Sequence, residues 1–199
     1  MNKKRACYFI LFLCLIAFAS SLIQSSNIYL WDEAVFLSSA ENVGKQEPYY
    51  TEIDYRPPLI IFLINWFSFF GIETGEYIIV ALFFALGVLG IFLLAKEIFN
   101  EKTGMIASLL FLTAPYFVHW APKIMNDVPA FTLSLFLFYF LFRWKNERKN
   151  IYIILSGVFC GLAILMRFTS LMFVPLAILF IVFVRLNLKE KIKGTFFIK

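Results

Sequence analysis

WDEAVFLSSAENVGKQEPYYTEIDYRPPL, residues 31–59, is the polar stretch around which the rest of the chain is organised. It opens with the adjacent carboxylates Asp32 and Glu33, and it closes with Arg56 followed by two prolines and a leucine. The sequence on both sides of it is strongly apolar. A charged loop held between apolar segments indicates a site at a membrane surface, and we interpret this loop as half of that site.

The composition is typical of a membrane protein. Of the 199 residues, 61% are hydrophobic and 16% are charged, whereas soluble domains are nearer half apolar and about a quarter charged. The net charge of +5 comes from clusters of Lys and Arg between apolar runs, where the positive-inside rule places them. The charge therefore does not indicate nucleic-acid binding. The three cysteines lie within apolar runs without metal-ligand or disulfide spacing, which favours packing roles.

Apolar runs of roughly 18 residues recur along the chain, which is the signal for helices that span a membrane. They predict an all-α, polytopic helical bundle with about six transmembrane helices. We prefer an uncleaved first span over a signal peptide cleaved near Ala17-Phe18-Ala19. The predicted spans are residues 6–23, 77–95, 103–119, 128–142, 151–166 and 171–186.

Whether residues 57–71 cross the membrane determines on which side each later loop lies. They are apolar, but about 15 residues are fewer than a span normally needs. If they crossed the membrane, the basic cluster RWKNERKN at residues 143–150 would face outward and break the positive-inside rule. We therefore predict juxtamembrane helices at 34–43 and 57–71, a cytoplasmic N-terminus, and two loops, 24–76 and 120–127, that share the outer side.

Three carboxylates in these outside loops are candidates for chemistry. Asp32 and Glu33 are neighbours, so their side chains diverge and serve different purposes, such as proton transfer and orientation. Their spacing, taken alone, favours a solvated acidic cap at a helix start, where carboxylates also interact well with the helix dipole. Asp127 directly precedes an apolar span and fits an N-cap as well as a site residue. The two interpretations of Asp127 are compatible, since a cap lies at the membrane surface.

Arg56 and Arg167 are basic residues on the side where basic residues are scarce. Arginine binds phosphate through two parallel hydrogen bonds, although each could instead pair with a carboxylate or reach toward lipid headgroups. His119, the single histidine of the sequence, is more typical of a residue at the membrane interface than of a ligand. The sequence has no Walker loop, dinucleotide fingerprint, HExxH motif or Cys/His cluster. Any substrate is therefore expected to arrive from the membrane or from outside.

The order of these motifs resembles the GT-C superfamily of glycosyltransferases, which use polyprenyl-phosphate-linked sugars, and in particular its protein O-mannosyltransferase and aminoarabinose-transferase branch. The resemblance rests on the Asp32-Glu33 pair, on RPPL at 56–59, on FGIE at 70–73 and on MND at 125–127. A weaker match is GLAILMR at 161–167, which leads to Pro175. The resemblance as a whole covers most of the chain and corresponds to the N-terminal part of the transmembrane catalytic domain of a family member.

The resemblance implies a role for each candidate residue. Asp32 would be the general base that deprotonates the acceptor hydroxyl or amine, and Glu33 would support it or contact the acceptor. Asp127 would orient the acceptor or a cation. Arg56 and Arg167 would hold the lipid phosphate through their positive charges.

The resemblance also implies partners: a polyprenyl-phosphate-linked sugar, a protein, lipid or glycan acceptor, and the lipid bilayer, with the site on the outer face of a plasma membrane. The resemblance leaves open whether a divalent metal takes part, because the family is mixed in this respect.

Two other classes of membrane protein are alternatives to a glycosyltransferase. A transporter or flippase would carry charged residues near mid-span, and an enzyme-free scaffold would leave the charged loop unexplained.

Overall fold

The computed structural model of the chain describes residues 3–25, 31–43 and 56–196, and within these ranges it contains helices and no strand. The all-α membrane fold predicted from the sequence is confirmed. The helices, named in chain order, are α1 (Lys3–Gln24), α2 (Trp31–Glu41), α3 (Pro58–Phe67), α4 (Ile72–Ile98), α5 (Glu101–Thr113), α6 (Pro115–Trp120), α7 (Asp127–Glu147), α8 (Asn150–Met166) and α9 (Phe173–Phe196).

Four of the described helices are long and apolar enough to span a membrane: Arg5–Gln24, Thr74–Ile98, Asp127–Glu147 and Phe168–Leu186. The other two predicted spans are helical but different in detail. Pro115 divides the segment 103–119 into α5 and α6, because Ala114 before it adopts an extended conformation (φ −65°, ψ 124°). The 17 residues of α8 extend for about 25 Å, at the lower limit of a span.

Helix α1 runs antiparallel to α4. Cys7, near the start of α1, lines the same groove as Lys96, near the end of α4, and two turns further along α1 Cys14 lines it together with Leu89. The end of α1 and the start of α4 therefore lie at the same end of the bundle. Helices α2 and α3 connect them without crossing to the other end, as the short length of residues 57–71 predicts. Which membrane face this end meets stays a prediction.

Apolar packing fixes α2 and α3 against the bundle. Phe36 of α2, Ile60 and Ile64 of α3 and Met166 of α8 are all completely or almost completely buried in one cluster. The Asn65 side chain also donates a hydrogen bond to the Ala40 carbonyl oxygen (3.0 Å). The segment that carries the candidate acids is therefore part of the core rather than a loose loop.

Candidate active site

The charged residues of the bundle are concentrated at its two ends. At one end Arg143 forms ion pairs with Glu97 (3.4 Å) and Glu147 and donates a hydrogen bond to the Tyr152 hydroxyl (3.2 Å). Asp127 begins α7 at the opposite end, and the 21 residues of α7 extend for about 31 Å, the thickness of a bilayer core. We call these the Arg143 end and the Asp127 end.

The first ion pair at the Asp127 end joins the two extremes of the polar stretch. Arg56 Nη2 donates to Asp32 Oδ1 across 2.7 Å, and both side chains are partly exposed. The Arg56 guanidinium also lies 5.4 Å from the centroid of the Phe36 ring, one turn after Asp32 on α2. Pro57 is extended and leads directly into α3, so the geometry of the Arg-Pro-Pro element points Arg56 back toward α2.

The second ion pair joins α7 to the end of α8. Asp127 pairs with Arg167, which follows α8 in an extended conformation (φ −155°, ψ 120°). Beside it, the Asn126 side chain donates to the Met166 carbonyl oxygen (3.1 Å). Asp127 is the first residue of α7, and Asn126 occupies the N-cap position. The N-cap interpretation of Asp127 is therefore wrong, because its carboxylate faces Arg167.

Glu33 connects the two outside loops. Its side chain is buried, with 3% of its surface exposed, and Glu33 Oε1 accepts a hydrogen bond from the Ile124 N–H (2.8 Å). On the same loop, the Ala121 carbonyl oxygen accepts a hydrogen bond from the Ser21 hydroxyl of α1 (2.8 Å). The divergence of Asp32 and Glu33 is thus observed: one carboxylate faces Arg56 near the surface, and the other enters the core.

Replacing Glu33 with alanine is expected to lower the free energy of unfolding by about 1–3 kcal/mol, because it leaves the buried Ile124 N–H without this acceptor. Glu33→Gln keeps an oxygen at this position, so it is expected to cost less. Thermal unfolding of the detergent-solubilised variants measures the difference. Equal stability of Glu33→Ala and wild type would show that the hydrogen bond does not hold the loop.

A cavity of about 310 Å³ opens beside the second ion pair. The described residues that line it include Asp127 and Arg167, but not Asp32 or Arg56. Most of its wall is aromatic or aliphatic, with the hydroxyl-bearing residues Thr169 and Ser170 near Arg167. The structure therefore brings all five candidate residues to one end of the bundle. Four of them form two ion pairs, and the fifth, Glu33, holds the loop that lies between these pairs.

Sequence reasoning did not identify the aromatic wall of this cavity. Tyr116 and Phe117 of α6 and Phe131 of α7 contribute to it, and the Phe117 and Phe131 ring centroids lie 5.1 Å apart. In the sequence these residues are indistinguishable from lipid-facing bulk. The one available signal was Pro115, which starts a separate short helix at this point. Among the described residues, no group of three His, Cys, Asp or Glu side chains is arranged to hold a metal ion.

Comparison with known proteins identifies the family. The sequence profile of the family described as dolichyl-phosphate-mannose-protein mannosyltransferase matches residues 55–198. Arg56, Asp127 and Arg167 lie inside the matched region, and Asp32 and Glu33 precede it. No curated protein and no solved structure was found to match the chain. Because the profile covers well over half of it, the chain belongs to the dolichyl-phosphate-mannose-protein mannosyltransferase family and is a membrane glycosyltransferase of the GT-C type.

Proposed function

We propose that the chain transfers a sugar from a polyprenyl-phosphate donor to a hydroxyl or amine of an acceptor, at the outer face of a plasma membrane and with inversion of the anomeric configuration. The family supports a lipid-phosphate-linked donor and a protein or glycan acceptor. The observation that carries the proposal is the pairing of two carboxylates with two arginines at one end of the bundle. Such an end offers both a base and positive charge for a leaving phosphate.

In this proposal Asp32 is the general base. Its carboxylate takes the proton of the acceptor O–H or N–H while the acceptor atom forms a bond to the anomeric carbon of the sugar. The bond between that carbon and the phosphate oxygen breaks, and the electron pair leaves with the polyprenyl phosphate. The partial exposure of Asp32 (42% of its side chain) allows an acceptor to reach it.

The arginines are suited to the phosphate. A guanidinium has five N–H donors, and the hydrogen bond of Arg56 to Asp32 uses one nitrogen. Both Arg56 and Arg167 are partly exposed, at 26% and 39% of their side chains. Each can therefore keep its carboxylate partner or exchange it for phosphate oxygens. The apolar cavity beside Arg167 suits the first isoprene units of the lipid.

Glu33 and Asp127 have supporting roles in this proposal. Glu33 positions the loop between α6 and α7 from within the core. Asp127 orients Arg167 and, through it, the phosphate or acceptor. A transporter is less well supported, because it calls for charges near mid-span, and the ion pairs of the described residues lie at the two ends of the bundle.

The stereochemistry of the product tests the mechanism. Direct attack by the acceptor, with Asp32 as base, is expected to give a product whose anomeric configuration is opposite to that of the donor. NMR coupling constants of the glycosylated acceptor measure it, with the lipid-linked donor as reference. A retained configuration would require a covalent sugar intermediate and would contradict the role proposed for Asp32.

A further inference from the structure

A long apolar groove lies between α1 and α4, in the half of the bundle nearest the Arg143 end. It encloses about 500 Å³ and is lined by residues from Ala6 to Cys14 of α1 and from Leu82 to Lys96 of α4. These stretches extend for about 12 Å and 21 Å. Its walls are aliphatic and aromatic side chains and two thiols, and the single charged group among the described lining residues is Lys96.

Lys96 stands at the charged end of the groove. Its Nζ lies 5.4 Å from the centroid of the Phe92 ring, and Phe92 also lines the groove. The ammonium group contacts Glu101 at 3.3 Å, and 44% of the Lys96 side chain remains exposed. A salt bridge this exposed contributes little and exchanges readily with other anions. Arg5, next to Ala6 at the start of α1, adds to the positive charge of this end.

We propose that this groove binds one acyl chain of an anionic phospholipid whose phosphate contacts Lys96. The groove, about 12 Å long on α1 and about 21 Å long on α4, is nearer to half of a bilayer core, about 15 Å, than to the length of about 30 Å that a membrane-spanning partner helix would need. The cation at the membrane-surface end complements a phosphate headgroup. This site lies at the opposite end of the bundle from Asp127 and does not depend on the proposed function.

Native mass spectrometry of the purified chain, titrated with phosphatidylglycerol or phosphatidylcholine, tests the proposal. Wild type is expected to retain phosphatidylglycerol preferentially, and Lys96→Gln to bind it about fivefold more weakly. Lys102→Gln is the matched control, because this exposed lysine lies close along the chain but does not line the groove. Equal losses in both variants, or equal binding of the two lipids, would overturn the site.

The native cysteines give a second readout, because no labelling site has to be introduced. Cys7 is exposed and lines the groove, whereas Cys160 on α8 lies outside it. Phosphatidylglycerol is expected to slow maleimide labelling of Cys7 and to leave labelling of Cys160 unchanged. Leu86→Trp, which fills the groove without altering its charge, is expected to abolish this protection. Protection of both thiols, or of neither, would contradict a lipid in this groove.

Discussion

Asp32→Asn is expected to lower the rate of sugar transfer by about 10²–10⁴-fold, the usual contribution of a general base. Asparagine has nearly the shape of aspartate and keeps an oxygen that can accept the hydrogen bond from Arg56, so the fold is expected to be preserved. What it loses is the ability to take a proton. The loss should therefore appear in kcat, with the KM for the donor changed much less.

The measurement is the initial rate at saturating donor, in membranes with matched expression. Glu41→Gln is the control, since it makes the same carboxylate-to-amide change at an exposed position of α2. The control is expected to keep the wild-type rate. An Asp32→Asn enzyme as active as the control would remove Asp32 from the chemistry and leave its ion pair with Arg56 as a structural contact.

Arg167→Gln is expected to lower transfer by about 10²–10³-fold, the cost of removing one group that stabilises developing negative charge. The same substitution also breaks the ion pair with Asp127, so activity alone does not separate a catalytic from a structural role. The double variant Asp127→Arg with Arg167→Asp separates them. It restores an ion pair between α7 and the end of α8, but moves the positive charge to the other helix.

Thermal unfolding and transfer rate are measured together on the single variants Asp127→Arg and Arg167→Asp and on the double variant. We expect the double variant to recover part of the stability lost in each single variant and to remain inactive, because the positive charge no longer lies where Arg167 places it. Recovery of activity with stability would show that the pair is structural and that the phosphate is held elsewhere.

Which residues share one end of the bundle could be predicted from the sequence, because the prediction needs only the distribution of basic residues and the lengths of the apolar segments. The positive-inside rule and the short length of residues 57–71 together assign Asp32, Arg56, Asp127 and Arg167 to one side. Their partners could not be derived in this way. Asp32 lies 24 residues from Arg56, and Asp127 lies on a different helix from the segment that holds Arg167. Such pairings depend on how α2, α3, α7 and α8 pack.

The position of Glu33 could be predicted from the sequence only in part. Adjacent carboxylates predict divergent side chains, and the structure shows that Glu33 is the one that enters the core. Nothing in the local sequence selects Ile124 as its donor, because that contact joins residues 91 positions apart. The aromatic wall beside Arg167 could not be predicted from the sequence for a different reason. In a chain with 26 phenylalanines, cavity-lining rings and lipid-facing rings have the same local pattern.

The central claim, that a lipid-phosphate-linked sugar is the donor, is tested most directly by a transfer assay. Membranes that contain the wild-type chain are supplied with a labelled polyprenyl-phosphate sugar or with the corresponding nucleotide sugar, and both label in the acceptor and free polyprenyl phosphate are measured. We predict that label is transferred from the lipid-linked sugar alone, with one polyprenyl phosphate released per sugar and with Asp32→Asn inactive. Transfer from the nucleotide sugar in the absence of a lipid-linked intermediate would contradict the account.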